Sequence, residues 1–142
     1  MPLYADIVLP LAQPAYSYAI PQDGHPLRVG DAVAVQFGAR NIYTGIVWRL
    51  HDERPDVKRV KSVGRRLYDV PLLDESQMRL WEWMADYYMC TLGEVMRVAL
   101  PSLIKPQGVS DEEFEQDEYR PRNEIYLSLN REWADEDILY KE

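Results

Sequence analysis

The side chains able to carry nucleophilic or metal chemistry are few and scattered. The 142-residue chain has two histidines, His25 and His51, and one cysteine, Cys90. Both histidines fall in predicted turns, where an imidazole is ordinarily solvated. Cys90 lies between two predicted helices among apolar neighbours, the setting of a buried structural thiol. No GxSxG, HExxH or CxxC pattern occurs, and no GxxxxGKS/T phosphate loop. Asp111-Glu112-Glu113-Phe114 looks like an acidic helicase box in composition, but no apolar strand precedes it, so it reads as linker. Hydrolytic, metal and nucleotide-hydrolysing chemistry therefore have no foothold. The segment is expected to be non-enzymatic, with no metal and no cofactor of its own.

What remains is binding chemistry. Gly38-Ala39-Arg40-Asn41 separates two strand-like stretches. Gly38 lets the backbone turn sharply and lets a ligand come close to its N–H, while Arg40 places a charge at the tip. Tyr16 and Tyr18 follow a proline-punctuated loop, and Lys58 and Lys61 flank a later predicted strand. Aromatic rings stack on bases of any sequence and lysines meet phosphates, so this set suits a single-stranded nucleic-acid end. Trp81, Trp83, Tyr87 and Tyr88 recur at helical spacing and read as core, with Trp83 as the exception.

The net charge of −8 argues against a polyanionic partner, but the charge is unevenly placed. From Asp111 onward there are 12 acidic and 4 basic residues, whereas Met1–Ser110 carries 12 of each. Between Arg40 and Arg66, 8 basic residues face 3 acidic ones. Local patches rather than totals steer phosphate ligands.

The elements that must position these residues begin with strands. Tyr4–Leu9 ends at Pro10. Tyr16–Ile20 alternates, with Tyr16, Tyr18 and Ile20 on one face and Ser17 and Ala19 on the other. Ala32–Phe37 and Tyr43–Leu50 form a hairpin around Gly38, with Gly45 as a candidate bulge. Val57–Val63 is a further expected strand. The period then changes. Asp74 with Gln77, and Thr91 with Glu94, are capping boxes for helices reaching Tyr88 and Leu100. Leu80, Met84 and Tyr87 form the expected apolar face of the first helix, with Trp81, Ala85 and Tyr88 beside them; Leu92, Val95, Met96 and Ala99 form that of the second. Strands followed by helices predict an α+β fold: a small curved β-sheet or open barrel of about five to six strands, then a short two-helix unit. Residues 1–108 are expected to form this domain, 109–122 an acidic linker, and 123–142 the truncated start of a following domain. No apolar run is long enough to span a membrane, no secretory signal is recognised, and a lone cysteine fits a reducing, cytoplasmic setting.

Several stretches carry a family resemblance: Tyr4–Pro10, Tyr16-Ser17-Tyr18 closed by Pro21, Val29-Gly30, Val33–Gly38 and Tyr43–Val47. Leu80–Pro101 adds Ala85-Asp86-Tyr87-Tyr88, Leu92-Gly93-Glu94-Val95 and Ala99-Leu100-Pro101. In order and spacing, across about residues 3–108, these resemble the N-terminal 3′-DNA-binding domain of the primosomal replication-restart helicase family PriA. The resemblance implies capture of the 3′-hydroxyl end of the nascent leading strand at stalled forks, without base specificity, to orient the helicase and start primosome assembly. Its pocket residues fall on Tyr16, Ser17, Gly38 and Lys61, to which the residue reading adds Tyr18, Arg40 and Lys58. Ser17 stands where the family has an aspartate, and a hydroxyl donates and accepts but carries no charge. The resemblance further implies a parent ATP-dependent 3′-to-5′ helicase. Its ATP, magnesium and zinc sites would lie beyond this segment, 123–142 would begin a winged-helix domain, and primosome proteins and single-strand-binding protein would be partners. The fragment itself is expected to be monomeric. The alternative is a protein-interaction or inter-domain scaffold module with no direct DNA contact.

Overall fold

The computed structural model describes residues 1–22 and 24–108. The expected linker at 109–122 and partial domain at 123–142 lie outside the described residues. The main elements are strands β1 (Tyr4–Val8), β2 (Tyr16–Ala19), β3 (Ala32–Phe37) and β4 (Asn41–His51), helices α1 (Glu75–Tyr88) and α2 (Leu92–Ala99), and a short strand β5 (Gln107–Gly108). The fold is α+β, a curled antiparallel sheet in the order β2-β1-β4-β3, with β5 added on β4.

Strand β4 is the spine. Its first half pairs with β3 (Phe37 opposite Asn41, Ala32 opposite Ile46), and its second half pairs with β1. The register slips between Asp6 and Ile7, which face Arg49 and Val47 and leave Trp48 as the extra residue. The bulge thus falls at Trp48 and not at Gly45. Gly45 serves a close approach instead, since a Cβ there would sit 2.3 Å from the Ile7 side chain. Strand β3 is buried from Ala32 to Val35 without alternation because both its faces are covered. Val33 and Val35 face the inside of the curl with Ala5, Ile7, Tyr18 and Val47, while Ala32 packs with Val8 and Ile46 under the helices.

The expected strand at Val57–Val63 is not a regular strand. Its apolar residues recur every third position, which no pleat can place on one face, and Val57 is exposed while Val63 is buried. The chain instead closes the curl with isolated bridges. The Ala19 N–H donates to the Lys61 carbonyl at 2.8 Å and the Val63 N–H to the Ala19 carbonyl at 2.9 Å. Farther on, Gly64 and Leu67 donate to the carbonyls of Ala34 and Ala32 at 2.9 and 2.8 Å. Residues 61–67 therefore join the free edges of β2 and β3 into a half-barrel.

Both capping boxes form. Asp74 and Gln77 exchange bonds of 2.8 and 2.9 Å, and the Thr91 N–H donates to Glu94 at 2.9 Å. Helix α1 lies on the outer face of the sheet through Met78 and Trp81, with Trp81 stacked on Trp48 at 6.1 Å. Its buried face is rotated from the expected one: Leu80, Tyr87 and Tyr88 are exposed, while Trp81 is buried and Trp83 exposed as expected. The helix is apolar on most sides, so its period alone does not select the side that meets the sheet. Helix α2 buries Val95 and Met96, as its stripe predicts, but leaves Ala99 exposed and buries Leu100. Gly93 lets α2 seat on the loop after β1, where a Cβ would lie 1.9 Å from the Leu11 carbonyl oxygen and 2.4 Å from that of Leu9. Cys90 is half-buried against the helical core. No described helix is long and apolar enough to cross a membrane.

Candidate nucleic-acid interface

Strand alternation sends Tyr16 and Tyr18 toward the barrel interior. Tyr18 is buried, and its hydroxyl donates to the Gln36 carbonyl at 3.2 Å. Burial, helped by the nearby Tyr16, pushes the Tyr18 phenol up to about 12, so it stays a neutral donor. Tyr16 tilts against Phe37 at 5.1 Å, and its hydroxyl donates to Gln13 at 3.1 Å. Phe37 ends β3 and hands the chain to Gly38, whose φ of +70° starts the turn into β4. The Lys61 ammonium donates to the Gly38 carbonyl, tying the turn to the closing segment.

These pieces enclose an open cavity of about 400 Å³. Tyr16, Ser17, Tyr18, Gly38 and Lys61 all line it, together with Phe37, Gln36 and Arg59. None of its lining residues is acidic. Arg40 and Lys58 do not border it; both are exposed nearby. Arg59 occupies the side expected of Lys58, because the segment does not follow strand parity. Phe37 is a lining residue that the sequence reading does not single out, although strand alternation marks it as inward, two positions on from Val35.

Ser17 borders the cavity while its hydroxyl turns to the neighbouring strand and donates to Asp6 at 2.6 Å. Asp6 also accepts from Arg49 at 2.9 Å and meets His51 at 3.0 Å. Burial pushes the Asp6 carboxyl up, but the bonds from Ser17, Arg49 and His51 outweigh it and hold the group below its ordinary value. His51, expected in a solvated turn, instead ends β4, nearly buried and stacked on Tyr4 at 5.9 Å. His25 stays in an exposed loop. A larger groove, of about 840 Å³, runs beside α1, where Asp74, Glu75 and Glu82 face Arg49 and Arg79. With three carboxylates against two guanidiniums, its net charge is negative and disfavours an anion. Among the described residues no three His, Cys, Asp or Glu side chains converge as a metal site.

The half-barrel thus carries at one end a small cavity lined by rings and cations. Residues 6–101 match the 3′ DNA-binding domain (3′BD) family of PriA, and the chain belongs to that family. It is 35% identical over 98 residues to the replication restart protein PriA of Synechocystis sp., covering 66% of this chain and 11% of that protein. It is 30% identical over 86 residues to the replication restart protein PriA of Treponema pallidum, covering 58% of this chain and 13% of that protein. The matched stretch is thus a small part of each relative's length.

Proposed function

We propose that this segment binds DNA in replication restart by receiving the 3′-terminal nucleotide of a single strand in the cavity between Tyr16, Gly38 and Lys61. The single observation that carries the reading is the convergence of Tyr16, Phe37, Gly38, Arg59 and Lys61 on one cavity free of carboxylates. Its size lies at the low end of small-ligand sites, which span about 300–1,000 Å³. Rings of Tyr16 and Phe37 wall the terminal base, Lys61 and Arg59 meet its phosphate, and the open space beside Gly38 admits the sugar.

The same geometry favours binding without base preference. Most of the polar side-chain groups that would read a base edge are already engaged: Ser17 with Asp6, Tyr16 with Gln13, Tyr18 with the Gln36 backbone carbonyl, and the Gln36 amide nitrogen with the Ala39 carbonyl. Ring faces and positive charge remain, and both accept any base. Arg40 and Lys58, exposed beside the cavity, meet the backbone farther along. In this reading the parent is an ATP-dependent 3′-to-5′ helicase of the cytoplasm. The segment holds the nascent leading strand at a stalled fork, orients the helicase, and leaves ATP, magnesium and zinc to other parts. Other primosome proteins and single-strand-binding protein are its proposed partners.

The test is fluorescence anisotropy of a labelled single strand titrated with the chain, its Lys61→Ala variant and its Gly38→Trp variant, with folding checked by thermal melts. Binding is expected to weaken in both folded variants. A second reading, an interaction module, draws on the exposed stripe Leu80, Trp83 and Tyr87 of α1. Steep loss of affinity with salt supports phosphate contact; salt-independent binding, or none to DNA at low salt, supports the interaction module.

A further inference from the structure

A second cavity, of about 550 Å³, opens on the same end of the half-barrel between the loop after β1, β4 and the end of α2. Tyr43, Arg97, Ser102 and Lys105 line it, and none of its lining residues is acidic. An aromatic row connects the two openings: Tyr16 packs on Phe37 at 5.1 Å, and Phe37 meets the edge of Tyr43 at 6.3 Å. The Lys105 ammonium donates to the Arg97 and Leu100 carbonyls. That bond pattern answers the negative end of α2 and leaves the Arg97 guanidinium in excess. Among the described residues no carboxylate lies within ion-pair distance of Arg97; Glu94, one turn back on α2, feels its charge but spends its hydrogen bonds on Thr91. Burial and then the neighbouring Arg97 push the Lys105 ammonium below its ordinary value.

We propose that the cavity between Tyr43, Arg97 and Lys105 is a second phosphate subsite, which holds the backbone of the same single strand on the 5′ side of its terminal nucleotide. The inference rests on the end-pocket reading above. Arg97 supplies the charge, the Ser102 hydroxyl a neutral donor, and the Tyr43 ring continues the aromatic row along which the strand lies. An isolated terminal nucleotide occupies only the first cavity; a longer strand reaches both.

The test compares a dinucleotide with an octanucleotide, each carrying a 5′ dye and a free 3′-hydroxyl, both titrated against the 142-residue chain and its Arg97→Ala variant. Arg97 is exposed on the last turn of α2, and equal melting temperatures will show that the variant is folded. Octanucleotide affinity is expected to fall roughly threefold to tenfold at low salt, with the slope of log K against log salt reduced by about 0.7. Dinucleotide affinity stays unchanged. Unchanged octanucleotide binding in the variant, or equal loss for both ligands, overturns the subsite while leaving the end pocket standing. Failure of the unmodified chain to bind either ligand overturns the end pocket and the subsite together.

Discussion

Replacing Gly93 with alanine sets two physical effects against each other. Alanine is the better helix former, by up to about 1 kcal/mol, and α2 is a short helix that such a change should help. The packing says the opposite. A Cβ at Gly93 would stand 1.9 Å from the Leu11 oxygen and 2.4 Å from the Leu9 oxygen, and both obstacles are backbone rather than flexible side chain. Relief requires α2 or the loop after β1 to move by more than an ångström, at an overpacking cost of about 3 kcal/mol. Sterics win, leaving a net loss of about 2 kcal/mol and a melting temperature lowered by about 8–16 °C for a domain of this size. Urea and thermal unfolding followed by tryptophan fluorescence measure it, with Val98→Ala as the control. Val98 is 85% exposed on the same helix, and its truncation should change stability by no more than about 0.5 kcal/mol. A Gly93→Ala chain as stable as the unmodified one, or more so, would refute the seating of α2 on this loop.

The two tryptophans of α1 should separate cleanly. Trp81→Ala empties the contact with Trp48 and should cost about 3–5 kcal/mol, whereas Trp83→Ala, on the exposed side, should cost under about 1 kcal/mol. Comparable losses in denaturant unfolding would reverse the assigned faces. For Asp6, the folded carboxyl is held below its ordinary value by the bonds from Ser17, Arg49 and His51, which outweigh the burial that opposes them. A depressed folded pKa gives stability that is complete above the unfolded value, near about 3.9, and is lost as pH falls through the folded value. Acid titration of the urea midpoint should therefore be steeper in the unmodified chain than in Asp6→Asn, and parallel curves would exclude this network as the source.

Much of the frame is legible from local chemistry. Proline stops, the alternation of Tyr16–Ile20 and the two capping boxes each act within a few residues, and the structure repeats them nearly residue for residue. The closing segment is not legible, because Val57, Val60 and Val63 follow no strand period and their pairing is decided by the distant edges at Ala19 and Ala34. That same gap hides Arg59. Part of the face of α1 escapes the sequence for a related reason: Trp81 is read as core correctly, but Leu80, Tyr87 and Tyr88 are apolar too, and the position of Trp48 on the bulged β4 favours the Trp81 side. For the cavity, residue types nominate Tyr16, Gly38 and Lys61, but the Lys61–Gly38 bond that joins them depends on how the barrel closes. Likewise, the turn of the Ser17 hydroxyl toward Asp6 follows from the β1–β2 register, which pairs those two residues directly.

The most direct test of the central claim compares two identical single strands that differ only at the terminus, one with a 3′-hydroxyl and one with a 3′-phosphate. A general cationic groove should hold the phosphate-ended strand at least as tightly, because it carries more negative charge. A cavity sized for one terminal nucleotide must instead resist the added bulk. Tighter binding of the 3′-hydroxyl strand by the unmodified chain, lost in Lys61→Ala, is the result this account predicts. Equal or tighter binding of the 3′-phosphate strand would contradict it.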